Sequence, residues 1–190
     1  MIFQTLLFFI ASSVWQAQSY FIDTRMPNDT LDGRSPERAW KTPKPLIKAH
    51  IQQGDSILFR KGGKWTNERF EIRHSGRPGY PIYIGSYGPR NLPKPHLIDT
   101  SSQVLGIGGN YIVVSGLKLS GARRYGISTL GRNRRGIKLI KNEISHCTNG
   151  IIINQADQVT IANNNIHDIS YNRSKKGSVG VILDQSENIQ

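Results

Sequence analysis

The residues of this sequence best suited to proton transfer are two histidines and two lysines in its second half. They are His146, His167, Lys175 and Lys176. A histidine has an ordinary pKa near about 6.5 and accepts a proton at neutral pH. A lysine acts as a base only where its surroundings lower its pKa. All four are candidate catalytic bases, and the fold that positions them must decide between them.

Two carboxylates in the same part of the chain are candidate metal ligands. Asp168 and Asp184 could contribute oxygens to a calcium site, because hard cations prefer several oxygen ligands. Two carboxylates supply few ligands, so calcium is only a candidate cofactor. His146 falls one repeat before Asp168 in the register given below. A surface hydrogen bond between these two residues is the alternative to a role in a site.

The candidate substrate-binding residues are Asn154, Tyr171, Arg173 and Asp184. A connecting loop grows from residues 145–149 in one repeat to residues 167–179 in the next, and insertions in solenoids usually fall on the binding face. The longer loop carries Arg173, Lys175 and Lys176, whose side chains suit a bound carboxylate. The sequence therefore predicts a binding surface next to this loop.

The elements that must hold these residues come from a repeat over residues 137–190. Each copy has an alternating run, an Asn-rich corner, one more apolar residue and a Gly-Ile or Gly-Val run. Alignment of Ile137 with Val159 places Asn142 on Asn164 and Ile144 on Ile166. A period in the low twenties with short β-type runs is typical of a solenoid. We expect Asn142 and Asn164 to take the left-handed conformation at a corner and to bond from coil to coil.

The expected fold is all-β, a right-handed parallel β-helix in which each run pairs with the next coil. A βαβ protein fits less well, because its crossovers need about a dozen residues or more. Substrate would lie along the Gly-Ile sheet. With Ile151 directed inward, the outward rows of that sheet are Ser128, Ile152 and Ile182, then Leu130, Asn154 and Asp184. These rows contain one charge, that of Asp184.

Residues 1–19 are expected to form a secretory signal, with an apolar run over residues 6–11 and a small-x-small cleavage site at residues 17–19. The mature chain would be secreted, periplasmic or on the cell surface, with no stable membrane span. The formal net charge of +12 favours an acidic partner, and an exported chain more often meets a glycan. We expect no nucleic acid, since basic runs with interleaved aromatic residues are missing.

Residues 20–109 are expected to hold the N-terminal cap and the first irregular coils, and residues 110–190 the regular coils. The spacing of Leu46, Ile47 and Ile51 predicts a short capping helix, which would cover the open end of the apolar column. At the other end, residues 186–190 open a new strand by register. We therefore expect a fragment of a longer β-helix protein.

Short motifs follow one another at positions 20–23, 32–36, 39–40, 54–59, 62–65, 75–76 and 81–88. In this order they resemble the start of exported right-handed parallel β-helix proteins of the pectate-lyase-like superfamily, and the resemblance covers roughly residues 20–190. The resemblance implies polysaccharide lyase, glycoside hydrolase or non-catalytic members. In lyases of this group an Arg or Lys commonly abstracts the proton beside a uronate carboxylate, often with calcium. No catalytic motif of the group matches particular positions here.

Two functions follow as expectations. The first is action on an acidic polysaccharide, with lyase-type cleavage in the full-length protein and glycoside hydrolysis as the other possible reaction. The second is a non-catalytic glycan-binding or structural β-helix, or an inactive fragment. A cluster of acidic and basic side chains on the Gly-Ile face would favour the enzyme over the non-catalytic protein, and the sequence shows little of one.

Overall fold

The computed structural model describes residues 16–170 and 177–190. The described chain is a parallel β-solenoid of about five coils in which three sheets surround one apolar column. Every strand pairing is parallel. The predicted all-β parallel β-helix is confirmed. None of the helices in the described ranges is long and apolar enough to cross a membrane.

Each regular coil contributes one segment to each of three sheets. Sheet A contains β1 (Ser19–Ile22), β2 (Ser56–Arg60), β5 (Ile82–Tyr87), β8 (Ile112–Ser115), β11 (Arg134–Arg135), β12 (Lys138–Ile140), β15 (Ala156–Ala162) and β18 (Glu187–Ile189). Sheet B contains β3 (Lys64–Thr66), β6 (His96–Ile98), β9 (Lys118–Ser120), β13 (Glu143–Ser145) and β16 (Asn165–His167). Sheet C contains β4 (Phe70–Ile72), β7 (Gln103–Ile107), β10 (Tyr125–Thr129), β14 (Asn149–Asn154) and β17 (Val181–Asp184).

Alternation along each short strand builds the apolar column. In sheet B the inward residues stack as Trp65, Leu97, Leu119, Ile144 and Ile166. The first four of these are buried. Burial of an aliphatic side chain contributes about 1.5–3 kcal/mol to the free energy of folding. A three-residue strand is not stable alone, and stacking of successive coils stabilises it by burying these side chains. In the last coil the inward residues Val181 and Leu183 are 36% and 48% exposed.

The predicted repeat register is correct. Ile144 pairs with Ile166, and Lys138 pairs with Thr160. Asn142 is buried, and its amide donates to Val114 O and to Asn164 Oδ1, at 3.0 and 3.1 Å. The predicted ladder between Asn142 and Asn164 is therefore present.

The prediction that Asn142 and Asn164 adopt the left-handed conformation is wrong. The left-handed residue is the one immediately before each of them. The left-handed residues at this corner are Gly116, Lys141 and Asn163, with φ of 74, 58 and 56°. The bend is made by the residue before each ladder position. Each ladder asparagine is then free to aim its amide at the backbone of the corner.

The expected capping helix over residues 45–51 is not present. The segment forms a four-residue 3-10 helix, Lys44–Ile47, in which Leu46 is buried and Ile47 is 82% exposed. Pro43 and Pro45 supply no N–H donors, and a residue before proline is disfavoured in the α conformation. The N-terminal end of the column is instead covered by irregular chain, from which Trp40 stacks on Tyr20 at 5.5 Å.

The predicted secretory signal lies mostly outside the described residues. Its last residue, Ser19, begins β1 and pairs with Ser56, and the N–H of Gln18 donates to Asp55 Oδ1 at 2.8 Å. The signal and its cleavage site stay predictions.

Candidate functional site

The outer face of sheet B collects more titratable side chains than the Gly-Ile sheet. Alternation directs the first and third residue of every sheet B strand outward. The first outward row is Lys64, His96, Lys118, Glu143 and Asn165. The second is Thr66, Ile98, Ser120, Ser145 and His167. We call these ten residues the sheet B face.

An ion pair lies at the centre of the sheet B face. Lys118 Nζ is 2.6 Å from Glu143 Oε1 on the neighbouring strand. The hydrogen bond from Lys118 lowers the pKa of Glu143, and the charge of Lys118 acts in the same direction. Glu143 is therefore ionised at neutral pH and cannot act as a proton donor.

His96 is held in the neutral form between two lysines. Burial lowers the pKa of His96 below its ordinary value, and the positive charges of Lys118 and Lys64 lower it further. Its Nε2 lies 2.8 Å from Oγ of Ser120, on the next strand. A neutral imidazole can donate or accept one hydrogen bond at each nitrogen, so His96 is suited to binding a sugar hydroxyl.

His167 is oriented by the carboxylate that follows it. Its Nδ1 lies 2.8 Å from Asp168 Oδ2, and this hydrogen bond lowers the pKa of Asp168. An ionised carboxylate only accepts a hydrogen bond, so Nδ1 of His167 carries the proton in this contact. The Nε2 atom lies 3.6 Å from Oε1 of Glu143, and the contact with His167 also lowers the pKa of Glu143. Both ring nitrogens thus face a carboxylate, and Nε2, on the side of the sheet B face, is the nitrogen at which His167 is a candidate general base.

A column of left-handed residues places Asp168 beside the sheet B face. Gly121, His146 and Asp168 have φ of 93, 53 and 50°. The N–H of Gly121 donates to His146 O, and the N–H of His146 donates to Asp168 O at 3.1 Å. The predicted stacking of His146 on Asp168 is thus present through the backbone. His146 lies at the edge of the face, where its charge also lowers the pKa of Asp168.

One hydroxyl of the face is buried without a partner. Ser145 Oγ has no hydrogen-bond partner within the described ranges, although Ser145 is 1% exposed. Its strand neighbours in the same row are Ser120 and His167. Buried hydroxyls are usually satisfied, so the Ser145 hydroxyl is an exception beside the histidine, and its burial keeps it out of direct contact with a ligand.

The Gly-Ile sheet, sheet C, has the predicted register and few polar groups. Ser128, Ile152 and Ile182 form one outward row, and Asn154 pairs with Asp184. Ser128 and Ile152 are buried, and the backbone N–H of Asn154 donates to Thr129 Oγ at 2.8 Å. This sheet does not bring acids and bases together.

The structure describes only some of the remaining predicted site residues. Tyr171, Arg173, Lys175 and Lys176 lie outside the described residues. Asp168 follows β16 of sheet B, whereas Asp184 ends β17 of sheet C. Among residues 16–170 and 177–190, no group of three or more His, Cys, Asp or Glu side chains is arranged to hold a metal ion.

Sequence reasoning missed His96, Lys118 and Glu143. Lys118 and Glu143 can be found from the register of the sheet B strands, because residue 118 stacks on residue 143, and residue 143 on residue 165. Of these three positions, only 143 and 165 lie in the regular repeat. His96 lies in an irregular coil, so its place in the row needed the structure.

No protein-family model matches this sequence, and no curated protein matches it. The fold is similar to that of several solved structures. The native GH136 lacto-N-biosidase from Eubacterium ramulus is 16% identical with a TM-score of 0.75, covering 90% of this chain and 40% of the enzyme. Its selenomethionine derivative is 17% identical with a TM-score of 0.71, covering 78% of this chain and 34% of the enzyme.

A rhamnogalacturonan lyase is 13% identical with a TM-score of 0.56, and the match covers 90% of this chain and 51% of the lyase. The chain thus spans between a third and about half of the length of these proteins. At such identities the similarity establishes architecture. The chain has a parallel β-helix fold similar to that of these enzymes.

Proposed function

We propose that this chain acts on an acidic polysaccharide and binds it on the sheet B face. Three observations support this. The face has lysines at two positions of its first row, Lys64 and Lys118, which suit a carboxylate or sulfate. It has a neutral histidine, His96, between them. Proteins of this architecture include an enzyme named lacto-N-biosidase and one named rhamnogalacturonan lyase.

The proposed reaction is β-elimination, and the His167–Asp168 pair carries the proposal. His167 Nε2 takes the proton from the carbon beside the uronate carboxylate. The electron pair forms a carbon–carbon double bond, the glycosidic C–O bond breaks, and the departing oxygen takes a proton from water. Lys118 and Lys64 stabilise the negative charge that develops on the uronate.

The pKa values of the two carboxylates argue against hydrolysis by a carboxylate pair. Glu143 and Asp168 lie on either side of the His167 ring. A hydrolase of this type keeps one carboxyl protonated through a raised pKa. The hydrogen bond from Lys118 lowers the pKa of Glu143, and that from His167 lowers the pKa of Asp168.

A non-catalytic glycan-binding role is the second candidate. It is favoured by the exposure of the proposed base, since the side chains of His167 and Asp168 are 37% and 62% exposed. Catalytic groups more often lie in a cleft that excludes water. We further propose export of the chain, which rests on the predicted secretory signal.

One assay separates these possibilities. The chain is incubated with polygalacturonate, alginate and a sulfated glycan, with and without calcium, and both ultraviolet absorbance of unsaturated products and new reducing ends are measured. Elimination raises both signals, hydrolysis raises reducing ends alone, and binding alone raises neither.

The matched variants for this assay are His167→Gln and His50→Gln. We expect His167→Gln to lower the elimination rate by about a hundredfold, the lower range for loss of a general base. His50 is exposed, lies outside the strands and is distant from His167 in the sequence, so His50→Gln should retain the full rate. Equal rates for both variants, or hydrolysis without absorbance, would overturn the proposed reaction.

A further inference from the structure

A second groove lies on the outer face of sheet A. Its volume is about 470 Å³. One side is a column of left-handed residues, Tyr111, Gly136, Gln158 and Asn188, with φ of 52, 68, 55 and 49°. These positions stack because Lys138 pairs with both Val113 and Thr160, and Val159 pairs with Ile189.

The other side of the groove is the outward row of the same strands. Val113, Lys138 and Thr160 stack on neighbouring coils, and Gln190 lines the groove beyond them. A left-handed residue bends the chain sharply before β8 and β12 and within β15 and β18. Repetition of this bend on successive coils makes a channel that runs along the solenoid axis. At about 4.8 Å for each strand, three steps give a channel of about 14 Å.

Tyr111 holds an unfavourable conformation at this groove. A bulky residue with positive φ is rare, and the conformation costs about 1–2 kcal/mol. Its ring lies against Gly136, where any Cβ atom would come within 2.3 Å of Tyr111 Cδ1. The strained tyrosine and the glycine together place an aromatic ring in the wall of the groove. Such strain is often retained where a side chain has a function.

The charges that line the groove are positive. Arg77 and Lys138 are its charged lining residues in the described part of the chain. The Arg77 guanidinium lies 4.4 Å from the ring centroid of Tyr80, which fixes its position. The carboxylate of Asp157 accepts a hydrogen bond from Asn188 Nδ2 and lines a neighbouring depression.

We propose that this groove is a non-catalytic binding site for a short stretch of anionic oligosaccharide. Lys138 and Arg77 suit the carboxylate or sulfate groups, and the Gln158 amide and Thr160 hydroxyl suit sugar hydroxyls. The Tyr111 ring supplies an apolar surface for a sugar face. The lining side chains within the described ranges include no His, Asp or Glu, and the role proposed for the groove is binding.

The groove lies on a different sheet from the His167–Asp168 pair. Binding there does not require cleavage at sheet B, and a chain without lyase activity would still bind. A second contact with the same polymer would raise the overall affinity by effective concentration, provided that the polymer reaches both faces.

The test is a titration of the full chain with trigalacturonate, followed by amide chemical shifts. We expect shifts of Gly136, Gln158 and Thr160 to saturate together. The double variant Lys138→Gln/Arg77→Gln should weaken the affinity read from these signals about tenfold, the size expected for a charged hydrogen bond. Signals of Lys118 and Ser145 on sheet B should keep their wild-type response.

The matched control is Lys48→Gln/Arg90→Gln, which removes the same charge at exposed positions elsewhere. Unchanged affinity in this control excludes a general charge effect. The proposed groove is overturned if its three amides do not shift in the wild-type chain, or if the groove variant binds as tightly as the control. Failure of the sheet B proposal would show separately, as missing shifts at Lys118 and Ser145.

Discussion

The Nδ1 atom of His167 lies 2.8 Å from Oδ2 of Asp168, the residue that follows it in the chain. Asp168 has a φ of 50°, and this left-handed turn at the end of β16 brings its carboxylate to the imidazole. A local backbone feature thus fixes which nitrogen of His167 faces the sheet B surface.

Replacement of Asp168 by Asn should change the tautomer of His167. Asn tolerates the left-handed conformation, so the backbone is retained. The amide no longer requires a proton on Nδ1, and Nε2–H becomes populated. We expect the ¹⁵N shifts of the His167 ring to move toward the other tautomer and any elimination rate to fall at least about tenfold.

Asp184→Asn is the matched control for that substitution. It also changes an exposed aspartate at the end of a strand, but on sheet C. The His167 ring signals should not respond to it. Identical ring shifts in wild type and Asp168→Asn would show that the carboxylate does not orient the base.

The pKa of His96 should rise when Lys118 is replaced by Gln. Burial and the charges of Lys118 and Lys64 lower this pKa, while Glu143 raises it. Removal of Lys118 takes away a lowering charge and leaves the raising charge of Glu143 in place. An NMR titration of the His96 ring should therefore show a midpoint at higher pH in Lys118→Gln, with Lys48→Gln unchanged.

The same pKa has a consequence for stability. The pKa of folded His96 lies below the unfolded value of 6.5, so the unfolded chain binds the proton first. The stabilising contribution of neutral His96 is complete above that value and is lost as pH falls through it. A midpoint for His96 in wild type above that of an exposed histidine would contradict the assignment.

Substitution of Asn142 by Ala should be among the more destabilising changes to the corner between sheets A and B. The Asn142 side chain accepts from the N–H of Leu117 and donates to Val114 O, all in a buried position. Loss of these bonds leaves buried backbone groups unpaired and should cost about 2–4 kcal/mol in urea unfolding.

Asn163→Gly serves as the control at the adjacent position. Asn163 is exposed with a φ of 56°, which glycine adopts without strain. We expect a change within about 0.5 kcal/mol. Equal unfolding free energies for the two variants would mean that the asparagine ladder does not stabilise the coil.

Gly150→Ala should destabilise the start of sheet C. A Cβ atom at Gly150 would lie 2.4 Å from Gly180 O and 2.7 Å from Ile166 Cγ2. Backbone of the next coil must move to accommodate it, at a cost of about 1–3 kcal/mol. Gly177→Ala, where nothing lies within 4 Å, should leave the melting temperature unchanged. Equal melting temperatures for Gly150→Ala and Gly177→Ala would show that Gly150 is not tightly packed against Gly180 and Ile166.

The fold was predictable because one local pattern is repeated. The 22-residue register that joins Ile144 to Ile166 determines both the pairing and the inward column, and a slip of one residue would turn that column outward. The cap was not predictable from periodicity. The helical spacing of Leu46, Ile47 and Ile51 is real, but the neighbouring prolines limit the segment to one 3-10 turn.

The candidate site was predictable only in part. His167 and Asp168 were found because they lie in the regular repeat. His96 and Lys118 were missed because Lys118 lies in a looser copy of the repeat and His96 lies before it. Sheet C was favoured as the binding face from its Gly-Ile signature, a feature that reflects close packing at Gly126 and Gly150.

The most direct test of the account is an NMR titration of the ring signals of His96 and His167 with trigalacturonate. We expect both rings to shift and saturate with one affinity, and the double variant Lys64→Gln/Lys118→Gln to weaken that affinity about tenfold or more. Ring signals that stay unmoved at saturating trigalacturonate would contradict the assignment of the sheet B face as the glycan site.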